Sequence, residues 1–152
     1  LEKKGHNCTV VVPNEYPDFL HWLPGSDSTY RFDWQNNQSQ KAIQNSDIIF
    51  LLDFNALHRV GSDMQKTLEN YKNDFAMIDH HQQPDSIAKY LYSDTTMSST
   101  CQMVYHFIEM MDDVDLETDD DNDSFWRNIF ASLNVRQGTI IVWLLLLVCA
   151  VQ

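Results

Sequence analysis

Two short stretches of this chain hold the residue types that could do chemistry. Asp53 closes the apolar run Asp47-Ile-Ile-Phe-Leu-Leu52, and Asp79-His80-His81 closes a second run, Phe75-Ala-Met-Ile78. A carboxylate and an imidazole together suit hard to borderline divalent cations such as Mn²⁺, Mg²⁺ or Zn²⁺. Each has a plainer role on its own: an Asp after a strand commonly serves a turn or a cap, and a single His commonly sits satisfied at a surface or in a core. Adjacent side chains on extended backbone point to opposite sides, so only one of His80 and His81 is expected to share a ligand sphere with Asp53. From spacing alone, a metal site and ordinary turn chemistry are evenly matched.

The elements around these residues decide whether they can meet. An unbroken apolar run such as Ile48–Leu52 is typical of a strand buried on both faces. Cys8-Thr-Val-Val-Val12 and Lys89-Tyr-Leu-Tyr92 read as further short strands. Tyr16, Phe19, Leu20 and Leu23 follow at near-helical spacing until Pro24-Gly25, and residues 36–44 suit a short polar helix. Ser62 and Gln65 have capping-box spacing ahead of Met64, Leu68 and Tyr71, so a helix is expected to run to about Tyr71. Ser99 and Gln102 form a second such pair before Val104, Phe107, Ile108 and Met111. Strand, helix, strand with a crossover of that length implies an α/β fold, a parallel sheet flanked by helices. Ligands of such sheets bind beyond the carboxyl ends of the strands, where both clusters fall.

Charge narrows the choice of ligand. Lys+Arg 10 against Asp+Glu 22 gives a formal net charge of -12, which opposes gripping nucleic-acid phosphates or anionic lipid with the bare surface. An anionic ligand would therefore need positive charge from elsewhere. The surplus is concentrated: Asp112–Asp123 holds eight of the acidic residues, and this stretch reads as a solvated loop between helices. Asp119, Asp121 and Asp123 imitate the start of a calcium loop, but Ser124 stands where Gly is needed and Phe130 where Glu is needed. Cys8, Cys101 and Cys149 are odd in number and lack metal-knuckle spacing, so a reducing, cytoplasmic setting is expected. The sequon Asn7-Cys8-Thr9 falls in a strand and is not expected to be glycosylated.

Motif order carries a more specific signal. Phe75-Ala-Met-Ile-Asp-His-His81, with Leu52-Asp-Phe-Asn55 and Arg59 before it and Ser93-Asp-Thr-Thr-Met-Ser-Ser-Thr100 after it, resembles the DHH phosphoesterase family. The resemblance runs from about Gly5 to about Asp113 and is nearest to the branch of bifunctional oligoribonucleases and 3′-phosphoadenosine-5′-phosphate phosphatases. It implies two divalent metal ions, Mn²⁺ before Mg²⁺, with Asp53 bridging them and His80 as a ligand. It also implies that His81 contacts the scissile phosphate or assists the leaving group, while Asp79 orients the site. Arg59 would reach a phosphate, with an ion pair to a nearby acid as the equal alternative. Ser98, Ser99 and Thr100 would offer backbone N–H groups to a second phosphate, with plain helix capping as theirs.

The activity this implies is metal-dependent hydrolysis of phosphoesters in short oligoribonucleotides or 3′-phosphoadenosine 5′-phosphate, by two-metal activation of water. The alternatives are a manganese-dependent pyrophosphatase or polyphosphatase of the same superfamily and a non-catalytic nucleotide-binding remnant. The implied partners are short RNA oligonucleotides or nucleoside phosphates, with no long duplex nucleic acid and no membrane; a homodimer is left open. The family pattern also has a first Asp-rich motif before the part seen here and a fourth Asp motif where Asn134–Thr139 stands. Residues 1–133 are therefore expected to be a partial DHH domain, and 134–152 an apolar tail of altered reading frame, or else a buried strand. As a membrane anchor that tail is the poorest reading, being shorter than the roughly 20 residues a span needs. With ligands missing, weak metal binding and little turnover are expected of the chain as written.

Overall fold

The structure is a computed structural model that describes residue 1, residues 5–112 and residues 139–142. Six parallel strands form its sheet: β1 (Asn7–Val12), β2 (Tyr30–Arg31), β3 (Ile48–Leu52), β4 (Asp74–Asp79), β5 (Tyr90–Ser93) and β6 (Thr139–Val142). Their order across the sheet is β2-β1-β6-β3-β4-β5. The helices are α1 (Asn36–Asn45), α2 (Ser62–Glu69) and α3 (Thr100–Asp112). The α/β architecture expected from the alternating runs is the one observed.

Side-chain alternation explains why β3 is apolar throughout. Ile49 and Leu51 face a core shared with Ile43 of α1 and with Met64 and Leu68 of α2. Ile48, Phe50 and Leu52 face the opposite core, shared with Met103 and Phe107 of α3. A parallel sheet is stable only with both faces covered, and the two helix layers supply that cover. Burying each of these side chains is worth about 1.5–3 kcal/mol, so the strand is fixed in place before its polar end is considered. A second anchor lies at the opposite edge, where Tyr71 Oη donates to the Ser46 carbonyl at 3.0 Å and Asn73 Nδ2 donates to the same oxygen at 2.9 Å.

Two local expectations need correction. Ser62 does not cap α2: Gly61, at φ 83°, turns the chain into the helix, so Ser62 is already helical and Gln65 Nε2 donates to Glu69 instead. The apolar spacing of Tyr16 to Leu23 yields only a three-residue 3₁₀ turn, Asp18–Leu20, because the N–H groups of Leu20, His21, Leu23 and Ser26 each bond the carbonyl three residues back instead of four. In the C-terminal apolar run, Thr139–Val142 form a strand paired with β1 on one side and β3 on the other. The acidic stretch beyond Asp112 and the positions named in it lie outside the described residues, as do 134–138 and 143–152. No helix among the described residues is long and apolar enough to cross a membrane.

Candidate metal centre

The carboxyl ends of β3, β4 and β5 come level because of their register. Leu52 pairs with Ile78, and the ladder runs one residue further through the Asp53 N–H to the Ile78 carbonyl, at 3.1 Å. Asp79 pairs with Ser93, and the Asp94 N–H donates to the Asp79 carbonyl at 3.3 Å. Aspartates thus end three neighbouring strands along one edge. Asp53 itself takes a left-handed φ of 65°, a conformation that Asp tolerates better than most residues, and the chain turns sharply there.

At that edge Asp53, His80 and His81 each place a potential ligand atom within 4.8 Å of the others. Asp53 is 7% exposed, whereas the two imidazoles are partly open to solvent. His80 and His81 do not diverge as extended neighbours would. Extended backbone stops at Asp79, so the alternation rule ceases to apply, and the rings lie 4.7 Å apart at 58°. Both histidines reach the same sphere, contrary to the expectation from strand geometry.

Each side chain is oriented by a partner that leaves its outward atom available. His80 Nδ1 lies 3.2 Å from the Met97 carbonyl, which can only accept, so Nδ1 carries the proton and Nε2 keeps its lone pair when the ring is neutral. That Nε2 is 3.6 Å from Asp53 Oδ1. Two lone-pair donors at this separation fit around one divalent ion with bonds of about 2.0–2.2 Å. Thr100 Oγ1 donates to the same Asp53 oxygen at 2.7 Å, a buried contact between residues 47 apart in sequence. His81 Nδ1 donates to Asp79 Oδ1 at 2.7 Å, and the His81 N–H donates to Asp79 Oδ2 at 3.2 Å. Asp79 is fully buried, and both of its oxygens are directed at His81. Carboxylate or carbonyl partners of this kind are what fix tautomer and ring direction in metal-binding histidines.

Of the other residues singled out from the sequence, Ser98 and Ser99 lie between Met97 and Thr100, which touch this group. Ser99 Oγ accepts the Gln102 N–H at 3.3 Å, and Ser98 Oγ donates to Gln102 Oε1 at 3.0 Å, so both hydroxyls serve the start of α3. Arg59 is exposed on the 3₁₀ turn Leu57–Val60; among the described residues no hydrogen bond or ion pair joins its side chain to the group. What sequence reasoning missed are two contacts: the Met97 carbonyl on His80, and the hydroxyl of Thr100, expected only as a backbone donor or a cap, on Asp53. Asp94 shapes their loop, accepting from the Thr96 hydroxyl and N–H, bonds that hold its carboxyl below the usual range. The Asp-Thr-Thr turn was visible in the sequence, but which distant side chains it would touch was not.

Comparison with known proteins gives one family and one described structure. The model of the DHH family, N-terminal domain, matches residues 3–133. A crystal structure of an exopolyphosphatase-related protein from Bacteroides fragilis is similar at a TM-score of 0.65 and 37% sequence identity. The similarity covers 68% of this chain and 30% of that one, so this chain spans under a third of that protein's length. No curated protein matches.

Proposed function

Because the chain belongs to the DHH family, matching its N-terminal domain, we propose that it is a metal-dependent phosphoesterase of short oligoribonucleotides or of 3′-phosphoadenosine 5′-phosphate. The observation that carries the reading is the convergence of Asp53, His80 and His81 within 4.8 Å at the carboxyl edge of a parallel sheet. Two divalent ions, Mn²⁺ by preference, would supply the charge that lowers the pKa of a water and offsets the charge of an in-line phosphoryl displacement. Asp53 and His80 are the residues that would hold them.

The remaining groups act through positions the chain itself fixes. His81, with Nδ1–H held by Asp79, presents Nε2 as the atom that would contact the scissile phosphate or pass a proton to the leaving oxygen. Asp79 fixes the tautomer and ring plane. Arg59, exposed and without an acidic partner among the described residues, would reach a non-scissile phosphate, and the N–H groups of Ser98 and Ser99 would meet a second one. A second reading, hydrolysis of pyrophosphate or polyphosphate, is favoured by the description of the similar crystal structure as exopolyphosphatase-related.

Purified chain supplied with Mn²⁺ and offered 5′-phosphorylated diadenylate, 3′-phosphoadenosine 5′-phosphate, pyrophosphate and tripolyphosphate separates the two. Slow cleavage, as the missing ligands imply, that still favours the adenosine compounds over the inorganic ones and is abolished by Asp53→Ala is the expected result. Preference for the inorganic substrates would replace it with the second reading, and no Mn²⁺ uptake in a calorimetric titration would remove both.

A further inference from the structure

Asn55 stands two residues beyond Asp53, buried in the turn that leaves β3. Its Nδ2 donates to the Gln82 carbonyl at 2.7 Å and approaches the Gln83 carbonyl at 3.5 Å. In return the Asp85 N–H donates to the Asn55 backbone carbonyl at 2.7 Å. Gln82 and Gln83 directly follow His81, so one residue bridges the two loops from which the candidate ligands project.

The bridge holds together backbone that would not stay put unaided. Asp53 has φ 65° and Gln83 has φ 61°, the only non-glycine residues in the left-handed region among those described. Such backbone is costly for residues with a Cβ and persists where surrounding contacts impose it. Gln82 and Gln83 are exposed residues, where water is the ordinary partner for a carbonyl. A buried amide reaching out to them does more than satisfy the carbonyls: it ties the loop after β4 to the loop after β3.

We propose that Asn55 is a positioning residue, whose side-chain amide locks these two loops together and sets the separation between Asp53 and the His80–His81 pair. The consequence for metal affinity rests on the proposed phosphoesterase site; the lock itself does not. An amide is suited to the task because it donates to both carbonyls while adding no charge, whereas a carboxylate there would face two acceptor oxygens and compete for the cation.

Asn55→Ala and the milder Asn55→Ser test the lock through amide hydrogen exchange at Asp85, whose own bond partner, a backbone carbonyl, both variants retain. In the alanine variant the Asp85 amide is expected to exchange at least about tenfold faster while Leu51 and Met77 in the strands keep wild-type protection. The Mn²⁺ dissociation constant is expected to rise about tenfold, as is usual when a partner behind a ligand is removed. Serine should fall between wild type and alanine, and gives the same readings should the alanine protein not fold. Wild-type exchange at Asp85, or equal acceleration at Asp85, Leu51 and Met77, would overturn the lock. A wild-type chain that takes up no Mn²⁺, with Asp85 responding as described, would sink the metal reading and leave the lock standing.

Discussion

Replacing Thr100 by Val removes one hydroxyl and almost no volume, and it isolates the hydrogen bond that orients Asp53. The contact is short, 2.7 Å, and buried at both ends. The next atom facing that oxygen, His80 Nε2 at 3.6 Å, is too far to replace it. A hydrogen bond to an ionised partner contributes about 1.5–3 kcal/mol. Taking about 2 kcal/mol, the melting temperature of metal-free protein should fall by roughly 4–8 °C at 2–4 °C per kcal/mol for a chain of this size. Metal affinity is a separate quantity, because the same bond persists when the ion is bound. What the ion loses is a carboxylate already aimed at it, and the expected weakening is about 10- to 100-fold in Mn²⁺ dissociation constant. Scanning calorimetry without metal and titration calorimetry with Mn²⁺ read the two effects, and Thr100→Ser, which keeps the donor, should restore both. If Thr100→Val melts within about 1 °C of wild type and binds Mn²⁺ within about twofold of it, the reasoning is refuted.

Asp79→Asn keeps the shape beside His81 but removes the charge that selects its Nδ1–H tautomer. On the proposed phosphoesterase reading, turnover should drop by about 10²- to 10⁴-fold with little change in KM, and ¹⁵N shifts of His81 should report the altered tautomer whether or not turnover is measurable. Asp53→Asn, which removes the charged ligand while leaving an oxygen for Thr100, should abolish measurable Mn²⁺ binding and shift the melting temperature far less than Thr100→Val does. Burial pushes the Tyr71 phenol above its ordinary value. The unfolded chain therefore ionises first as pH rises past about 10, and stability present below that pH is lost above it. Tyr71→Phe should lower stability by about 1 kcal/mol near neutral pH by deleting the bond to Ser46. It should also make denaturant midpoints fall less steeply in the alkaline range, though not flat, since burial raises Tyr92 as well.

The part of the site that could be read in the sequence is the part that local physics dictates. Ile48–Leu52 and Phe75–Ile78 have no polar residue to place on a wet face, so each had to be an inner strand, and an inner parallel strand must deliver its last residue to the binding edge. Asp53 and Asp79 were located by that argument. The orientation of the imidazoles was not, because it depends on where extended backbone stops, and nothing in the residue types at 79–81 marks that boundary. Nor were Met97 and Thr100: a carbonyl has no signature in a sequence, and a threonine 47 residues from its partner is a capping candidate until the helix is docked. The Ser62 pair failed for a related reason, since Gly61 could take the cap position at no steric cost and left the serine inside the helix.

The three strand-end aspartates divide the work according to what else each one touches. Asp79 turns both oxygens to His81, and Asp94 turns its carboxylate onto Thr96. Among the described residues, the Asp53 side chain accepts a single hydrogen bond, from a neutral hydroxyl, and faces an imidazole across 3.6 Å. Unlike Asp79 it keeps an oxygen without a bond among the described residues, and unlike Asp94 it has an imidazole opposite, so a cation entering this edge would be drawn to Asp53 and His80. On the proposed phosphoesterase reading, that placement also reconciles a chain of net charge -12 with an anionic substrate. An edge lined by aspartates repels a phosphoester until divalent ions reverse its local field, so the affinities for metal and for phosphoester must be linked, each raising the other by the same factor.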